Sequence, residues 1–242
     1  MSVERRTAIV TGASEGIGAA VANLFIAQGY NVVGNARHIT ARNQLHRSEF
    51  LALVDGDIGL EATARSVVAT AIGRFGSIDV LVNNAGIFFA RPFTQYTTED
   101  FRRLSATNLQ GFFFTTQLVV RQMLQQRSAG SVTSISASQV DHPLVSTTGS
   151  IPMITKGGIN AASRSLAMEY AKQGIRFNVV APGVVQTPLN RGTPQDVMQS
   201  LSPLASIVQA ADIAAAVLYL AQAKQITGQT LHVDGGSHVG RW

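Results

Sequence analysis

Short apolar runs, several rich in β-branched residues, alternate along this chain with longer stretches whose apolar positions recur at helical spacing. Thr7-Ala8-Ile9-Val10 reads as a buried strand. Residues 19–27 carry a helical pattern that Gly29 stops. Further strands are expected at Asn31–Gly34, Leu51–Val54, Asp79–Val82, Ser131–Ile135, Arg176–Val180 and Thr230–Val233. Helices are expected at Leu60–Phe75, Thr98–Leu124 with a break near Asn108, Lys156–Gln173 and Asp212–Gln222. Several strands show little polar alternation, as when helices cover both faces of a sheet. Strand and helix alternating throughout predict an α/β fold, a doubly wound parallel sheet.

Composition narrows this picture. The chain has 242 residues, of which 45% are hydrophobic, enough for a substantial core. It contains no internal repeat or polar linker, so one domain over residues 1–242 is expected. No uncharged apolar run approaches the length of a membrane span, and Arg5 and Arg6 lead into a strand rather than a secretory leader. A cytoplasmic protein without membrane partners is expected. The absence of cysteine removes disulfides and thiolate metal sites, and no metal site is expected. The net charge of +5 is spread along the chain, with lysine only at Lys156, Lys172 and Lys224. That scatter argues against a nucleic-acid partner.

The candidate chemistry starts at Thr11–Gly18, Thr-Gly-Ala-Ser-Glu-Gly-Ile-Gly, between a strand and a helix. Glycines there allow a sharp turn and close approach of a pyrophosphate, and a helix N-terminus offers that anion unpaired N–H groups. The spacing Gly12, Gly16, Gly18 differs from the common Gly-x-Gly-x-x-Gly, and an ordinary strand–helix connection reads the same way in isolation. Other motifs follow: Asn83-Asn84-Ala85-Gly86, Asn108 before Gly111, Lys156, Asn178 to Gly183 with Thr187, and Thr227-Gly228 to Gly235-Gly236. In that order and spacing, over nearly the whole chain, the set resembles the short-chain dehydrogenase/reductase family.

The resemblance implies a Rossmann-type three-layer α/β/α fold with a seven-stranded parallel sheet and a nicotinamide dinucleotide cofactor. Gly12, Ser14, Glu15, Gly16, Ile17 and Gly18 would hold the pyrophosphate side. Asp57, with Ile58 beside it, would meet the adenine. Asn84, Ala85 and Gly86 would run along a ribose. Pro182, Gly183, Val185 and Thr187 would flank the nicotinamide. Asn108 would bend the long helix and serve a proton relay, and Lys156 would hold the nicotinamide ribose. Asn83 would brace the sheet, and Asp57 also suits a simple turn. The second strand ends in Asn35-Ala36-Arg37 with no acid to repel a 2′-phosphate. Arg37 favours NADP(H) over NAD(H), while Glu15 pulls the other way.

One position breaks the pattern. The family's tyrosine lies four residues before the lysine, where this chain has Pro152. Proline gives no proton; it suits a helix's first turn, with Ser150 near enough to cap it. Loss of a general acid lowers a rate by about 10²–10⁴. The family's serine position falls on Ala137, with Ser138 the best substitute for polarising a substrate. His142 and a desolvated Lys156 are candidate proton donors. Ser146, Thr147, Thr148, Ser150 and Thr155 offer hydroxyls only. Residues 189–208, with Arg191, Met198, Leu201 and Leu204, correspond to a substrate flap, and Phe88, Phe89 and Phe93 suit either pocket or core.

The catalytic set expected is therefore Asn108, Ser138, Lys156 and His142. The leading function is hydride transfer between NAD(P) and a small-molecule carbonyl or secondary alcohol, with an altered proton relay. A catalytically impaired NAD(P)-binding sensor or scaffold is the alternative, and non-redox chemistry in the same pocket a third reading. A homotetramer or homodimer is implied, packed through the helices around Asn108 and Lys156.

Overall fold

Every strand of the central sheet is parallel to its neighbours, so each return crossing must traverse a face of the sheet. The computed structural model describes residues 5–145 and 148–240. Seven strands form the sheet: β1 Thr7–Thr11, β2 Asn31–Ala36, β3 Leu51–Asp55, β4 Val80–Asn83, β5 Gly130–Ile135, β6 Ile175–Pro182 and, after two short strands, β9 Thr230–Val233. Their order is β3-β2-β1-β4-β5-β6-β9. The order in which strands are added reverses between β1 and β4, which pair in parallel with Ala8 opposite Val80 through Val10 opposite Val82. Ligands of such sheets bind beyond the carboxyl ends at this reversal.

Two apolar cores lie on opposite faces. On one, α1 (Gly16–Ala27) and α7 (Ala210–Gln222) cover the sheet through Val21, Phe25, Ile213 and Val217. On the other, α2 (Glu61–Phe75) and α4 (Gly111–Gln126) bury Val67, Val119 and Met123 against Ile9, Val132 and Phe177. Strands β1, β4 and β5 are buried at every residue, which explains their missing alternation. The expected three-layer sheet is present.

Three boundaries differ from the expected pattern. Strand and helix do not alternate throughout: β2 and β3 are joined without a helix, and this connection folds back over the glycine turn instead. The long helical stretch is broken into α3 (Thr98–Leu104), one π-helical turn at Ser105–Gln110, and α4. The expected break near Asn108 is thus a widened turn rather than an interruption. Helix α5 runs Ser150–Glu169, starting six residues before Lys156 and ending before a short 3₁₀ turn at Ala171–Gln173. Its N-cap is Gly149, without a side-chain cap, so the capping expected of Ser150 is not made. Pro152 sits in the first turn, where a missing N–H leaves no helical bond unmade.

The segment expected to form a flap contains a 3₁₀ turn at Pro188–Asn190 and α6 (Gln195–Ser200), flanked by the paired short strands β7 (Val185–Gln186) and β8 (Val208–Gln209).

Phe177 is fully buried on β6 at the center of the α2–α4 core. Replacing Phe177 by Ala is expected to destabilise the protein by about 3–5 kcal/mol. Urea unfolding followed by circular dichroism checks this; a loss below about 1 kcal/mol contradicts the assigned packing.

Candidate active site

The glycine turn is fixed by the loop that leaves β4. Thr11 Oγ1 accepts hydrogen bonds from the backbone N–H of Asn84 (3.1 Å) and of Ala85 (3.0 Å). Asn84 Nδ2 donates to the carbonyls of Thr11 (2.9 Å) and Gly12 (3.1 Å). The two loops approach so closely that a Cβ on Gly12 would lie 2.8 Å from Ala85 Cα, and Gly12 has φ +66°. At Gly18 a Cβ would fall 2.2 Å from the Gly12 carbonyl oxygen. These glycines are therefore required by the chain's own packing. The consequence is direct backbone contact between the glycine turn and the Asn84–Gly86 loop, beside the N-terminus of α1.

Residues 42–46 of the helix-free β2–β3 connection close one end. Gln44 N–H donates to the Ser14 carbonyl (2.8 Å), and Gln44 Oε1 accepts from the Gly16 N–H (3.3 Å). Glu15 is the extended N-cap of α1 without a capping bond, and the Arg42 guanidinium lies 4.0 Å from its carboxylate. Arg37 is exposed just beyond β2. Asp57 forms the turn its sequence also suits, its Oδ1 accepting from Gly59 N–H at 2.9 Å. Ile58 is buried against α4, where a Cβ on Gly111 would meet its Cγ2 at 2.8 Å.

The other end holds Asn108 and Lys156. Asn108 is buried in the π-helical turn. Its Oδ1 accepts from Ile87 N–H (2.9 Å), and its Nδ2 donates to the Ile87 carbonyl (3.1 Å) and to Thr155 Oγ1 (3.0 Å). Thr155 in turn donates to the Pro152 carbonyl at 2.8 Å. Lys156 Nζ donates to the Ile135 carbonyl at 2.8 Å. A Cβ on Gly86 would stand 3.1 Å from Lys156 Nζ and 3.3 Å from Asn108 Oδ1, so Gly86, Asn108 and Lys156 are gathered at one point. Burial lowers the Lys156 ammonium to about 8, because the charged form loses hydration without gaining a carboxylate.

The remaining predicted residues lie on the segments that follow β5 and β6. Ser138 is buried in a 3₁₀ turn after β5, and Ser136 Oγ donates to the Lys156 carbonyl at 3.4 Å. Gly183 follows β6, its N–H donating to the Val233 carbonyl (3.1 Å). Val185 is buried in β7, and Thr187 packs on the turn, 3.3 Å from where a Gly16 Cβ would be. His142 is exposed, its N–H donating to the Ser138 carbonyl at 3.1 Å; its ring faces His232 and His238. Ser146 and Thr147 lie outside the described residues.

Two cavities flank the site. One of about 390 Å³ is lined by Thr187, Pro188, Asn190, Arg191 and Met198 of the flap. Another of about 630 Å³ lies among Phe93, Val140, Pro143, Leu144, Met153 and Ile154. Leu201 and Leu204 line neither, and Phe89 packs instead on Tyr96. Among the described residues no cluster is arranged to hold a metal ion, and no helix is long and apolar enough to cross a membrane.

The family model described as enoyl-(acyl carrier protein) reductase matches residues 12–238. The 3β-hydroxysteroid dehydrogenase 1 of Eggerthella lenta is 34% identical over 244 residues, covering 96% of this chain and 93% of that protein. The chain belongs to the short-chain dehydrogenase/reductase family. Among solved short-chain dehydrogenases, the 3-ketoacyl-(acyl-carrier-protein) reductase of Brucella melitensis complexed with NADH superposes with a TM-score of 0.91 at 27% identity, over 98% of this chain and 100% of that one. A gluconate 5-dehydrogenase of Burkholderia cenocepacia in complex with NADP and tartrate gives 0.89 at 29% identity, covering 99% and 97%.

Four residues next to the expected positions escape assignment from sequence: Gln44 and Arg42 over the glycine turn, and His232 and His238 beside His142. Each reaches its partners by folding back of a distant segment. A histidine within the apolar Leu231–Val233 strand was the one visible signal.

The folded state binds the Lys156 proton less tightly than the unfolded chain, whose lysine stays near 10.5. Lysine 156 thus lowers stability at neutral pH, and stability rises as pH climbs from about 8 toward 10.5. Urea unfolding of wild type and Lys156→Met between pH 7 and 10.5 is expected to show that rise in wild type and its loss in the variant. An equal pH dependence in both would contradict a buried ammonium.

Proposed function

We propose that this chain is an NAD(P)-dependent oxidoreductase that exchanges hydride between the nicotinamide and a small carbonyl compound or secondary alcohol, with an altered proton relay. The observation that carries the reading is the set of direct contacts that joins the glycine turn to Asn84–Ala85 and gathers Gly86, Asn108 and Lys156 at one point. This suits a dinucleotide: the α1 N-terminus offers backbone N–H groups to a diphosphate, and Gly86 puts no side chain against Lys156. When bound, the coenzyme supplies or accepts the hydride.

The chain's own groups do the rest. Lys156 holds ribose hydroxyls, and its proximity to neutrality lets it lose or regain a proton in the working pH range. Asn108 fixes the Ile87 backbone against α5 through Thr155. Ser138 polarises the carbonyl. The segment 189–208 acts as a flap, with Arg191 as its anion contact. Pro152 donates no proton, so His142 and Lys156 are the groups available to serve the substrate oxygen.

NADP(H) is favoured over NAD(H). The exposed Arg37 just beyond β2 supports this, as does Arg42, whose guanidinium lies 4.0 Å from the opposing carboxylate of Glu15. A homodimer or homotetramer is supported by the exposed apolar residues Phe101, Phe113, Leu124, Ile154 and Met168 on α3, α4 and α5. Pro152 also supports a second reading, a nucleotide-binding sensor or scaffold with little turnover.

A substrate screen followed at the nicotinamide absorbance band, with cofactor titration, separates the two. Turnover of a carbonyl or alcohol is expected; tight NADPH binding with no turnover would favour the sensor. Arg37→Asp is expected to weaken NADPH at least tenfold more than NADH, as isothermal titration reads it; equal losses would contradict the cofactor preference.

A further inference from the structure

Three of the five histidines meet beside the larger cavity, which Val140 and Pro143, on either side of Asp141 and His142, line. His142 follows the turn after β5. His232 lies on β9, paired with Ala181 of β6. His238 closes the turn after β9. The rings of His232 and His238 stack with centroids 4.0 Å apart and planes 11° from parallel. His142 stands at 6.0 Å from His232 and 5.6 Å from His238. Two carboxylates serve the group. Asp234 Oδ1 and Oδ2 are each 3.0 Å from His238 Nδ1, and Asp141 Oδ2 is 3.6 Å from His232 Nε2. That nitrogen is buried and has no hydrogen-bond partner.

Three segments of the chain join at this corner. His142 belongs to the Ser138 turn. Asp234 packs on Gly183, where a Cβ would come within 2.9 Å of Asp234 Cβ. Gly235 accepts a hydrogen bond from Leu204 N–H of the flap (3.3 Å). Stacked rings do not converge their nitrogens, so the arrangement suits proton traffic rather than metal binding.

We propose that His142 gives the substrate oxygen its proton in place of the absent phenol, and that His232 and His238 are the positioning residues that hold its ring. This rests on the reductase reading above. In the reductive direction, hydride from the reduced nicotinamide forms the new C–H bond at the carbonyl carbon. The C=O π pair moves to oxygen, which forms an O–H bond as the imidazolium N–H breaks. His142 is left neutral and is reprotonated by water, which its exposed ring meets directly. Burial and the neighbouring His238 hold His232 below the ordinary histidine range. Burial opposes the charge of Asp234, but its hydrogen bonds from His238, Ser237 and Gly236 keep it ionised below the usual carboxylate range. Asp141 and Asp234 are the counter-charges of the group.

The test is the pH profile of NADPH-driven carbonyl reduction in wild type, His142→Gln, His232→Gln and His238→Gln. His142→Gln is expected to lower kcat about 100-fold, remove the alkaline fall of the wild-type profile, and leave the NADPH Kd unchanged. His232→Gln and His238→Gln are expected to move that alkaline midpoint while keeping most of kcat at the optimum. Unchanged kcat and profile in His142→Gln would overturn the donor alone, as would unmoved midpoints in both neighbours for the positioning role. Wild-type protein that binds NADPH but reduces no carbonyl would overturn the reductase reading, and the donor role with it.

Discussion

The architecture of the site depends on the clamp between Thr11 and Asn84. Four hydrogen bonds join the end of β1 to the loop after β4 and bring two backbones into direct contact. β1 and β4 are the neighbours at which the strand order reverses, so the clamp sits where ligands of such sheets bind. Gly12 and Gly18 follow from this contact, since a methyl at either would strike backbone. Their first service is to packing, and the space left above them is what a ligand can use.

From that fixed edge the site extends through rigid parts. Asn108 uses the widened turn between α3 and α4 to bond Ile87 and Thr155 together, linking the β4 loop to α5. Lysine 156 stands on α5 one residue beyond Thr155 and is held by the Ile135 carbonyl. The position expected for a tyrosine is built into the same turn of helix, where Pro152 is buried and its carbonyl receives the Thr155 hydroxyl. The proline is thus an integrated part of the helix start, and the frame around it is intact.

Much of the fold was legible because strand burial and helix amphipathicity leave strong periodic signals. All seven sheet strands fall where the apolar runs lie, and the glycine turn follows β1 as its spacing implied. What the pattern hides is long-range. The residues between Arg37 and Phe50 show no period, and their fold over Ser14 and Gly16 depends on hydrogen bonds by Gln44 that no local rule predicts. The start of α5 was obscured because Pro152, Gly157 and Gly158 are weak helix formers, kept helical by burial of Ile151, Thr155 and Ile159. The histidine corner joins positions some ninety residues apart, brought together by the pairing of β9 with β6.

A crystal structure grown with NADPH tests the central claim most directly. The coenzyme is predicted to lie with its diphosphate at Ser14–Ile17, its adenosine toward Arg37 and its nicotinamide ribose at Lys156. Coenzyme bound elsewhere, or a crevice closed by side chains between Gly12 and Gly86, would contradict it.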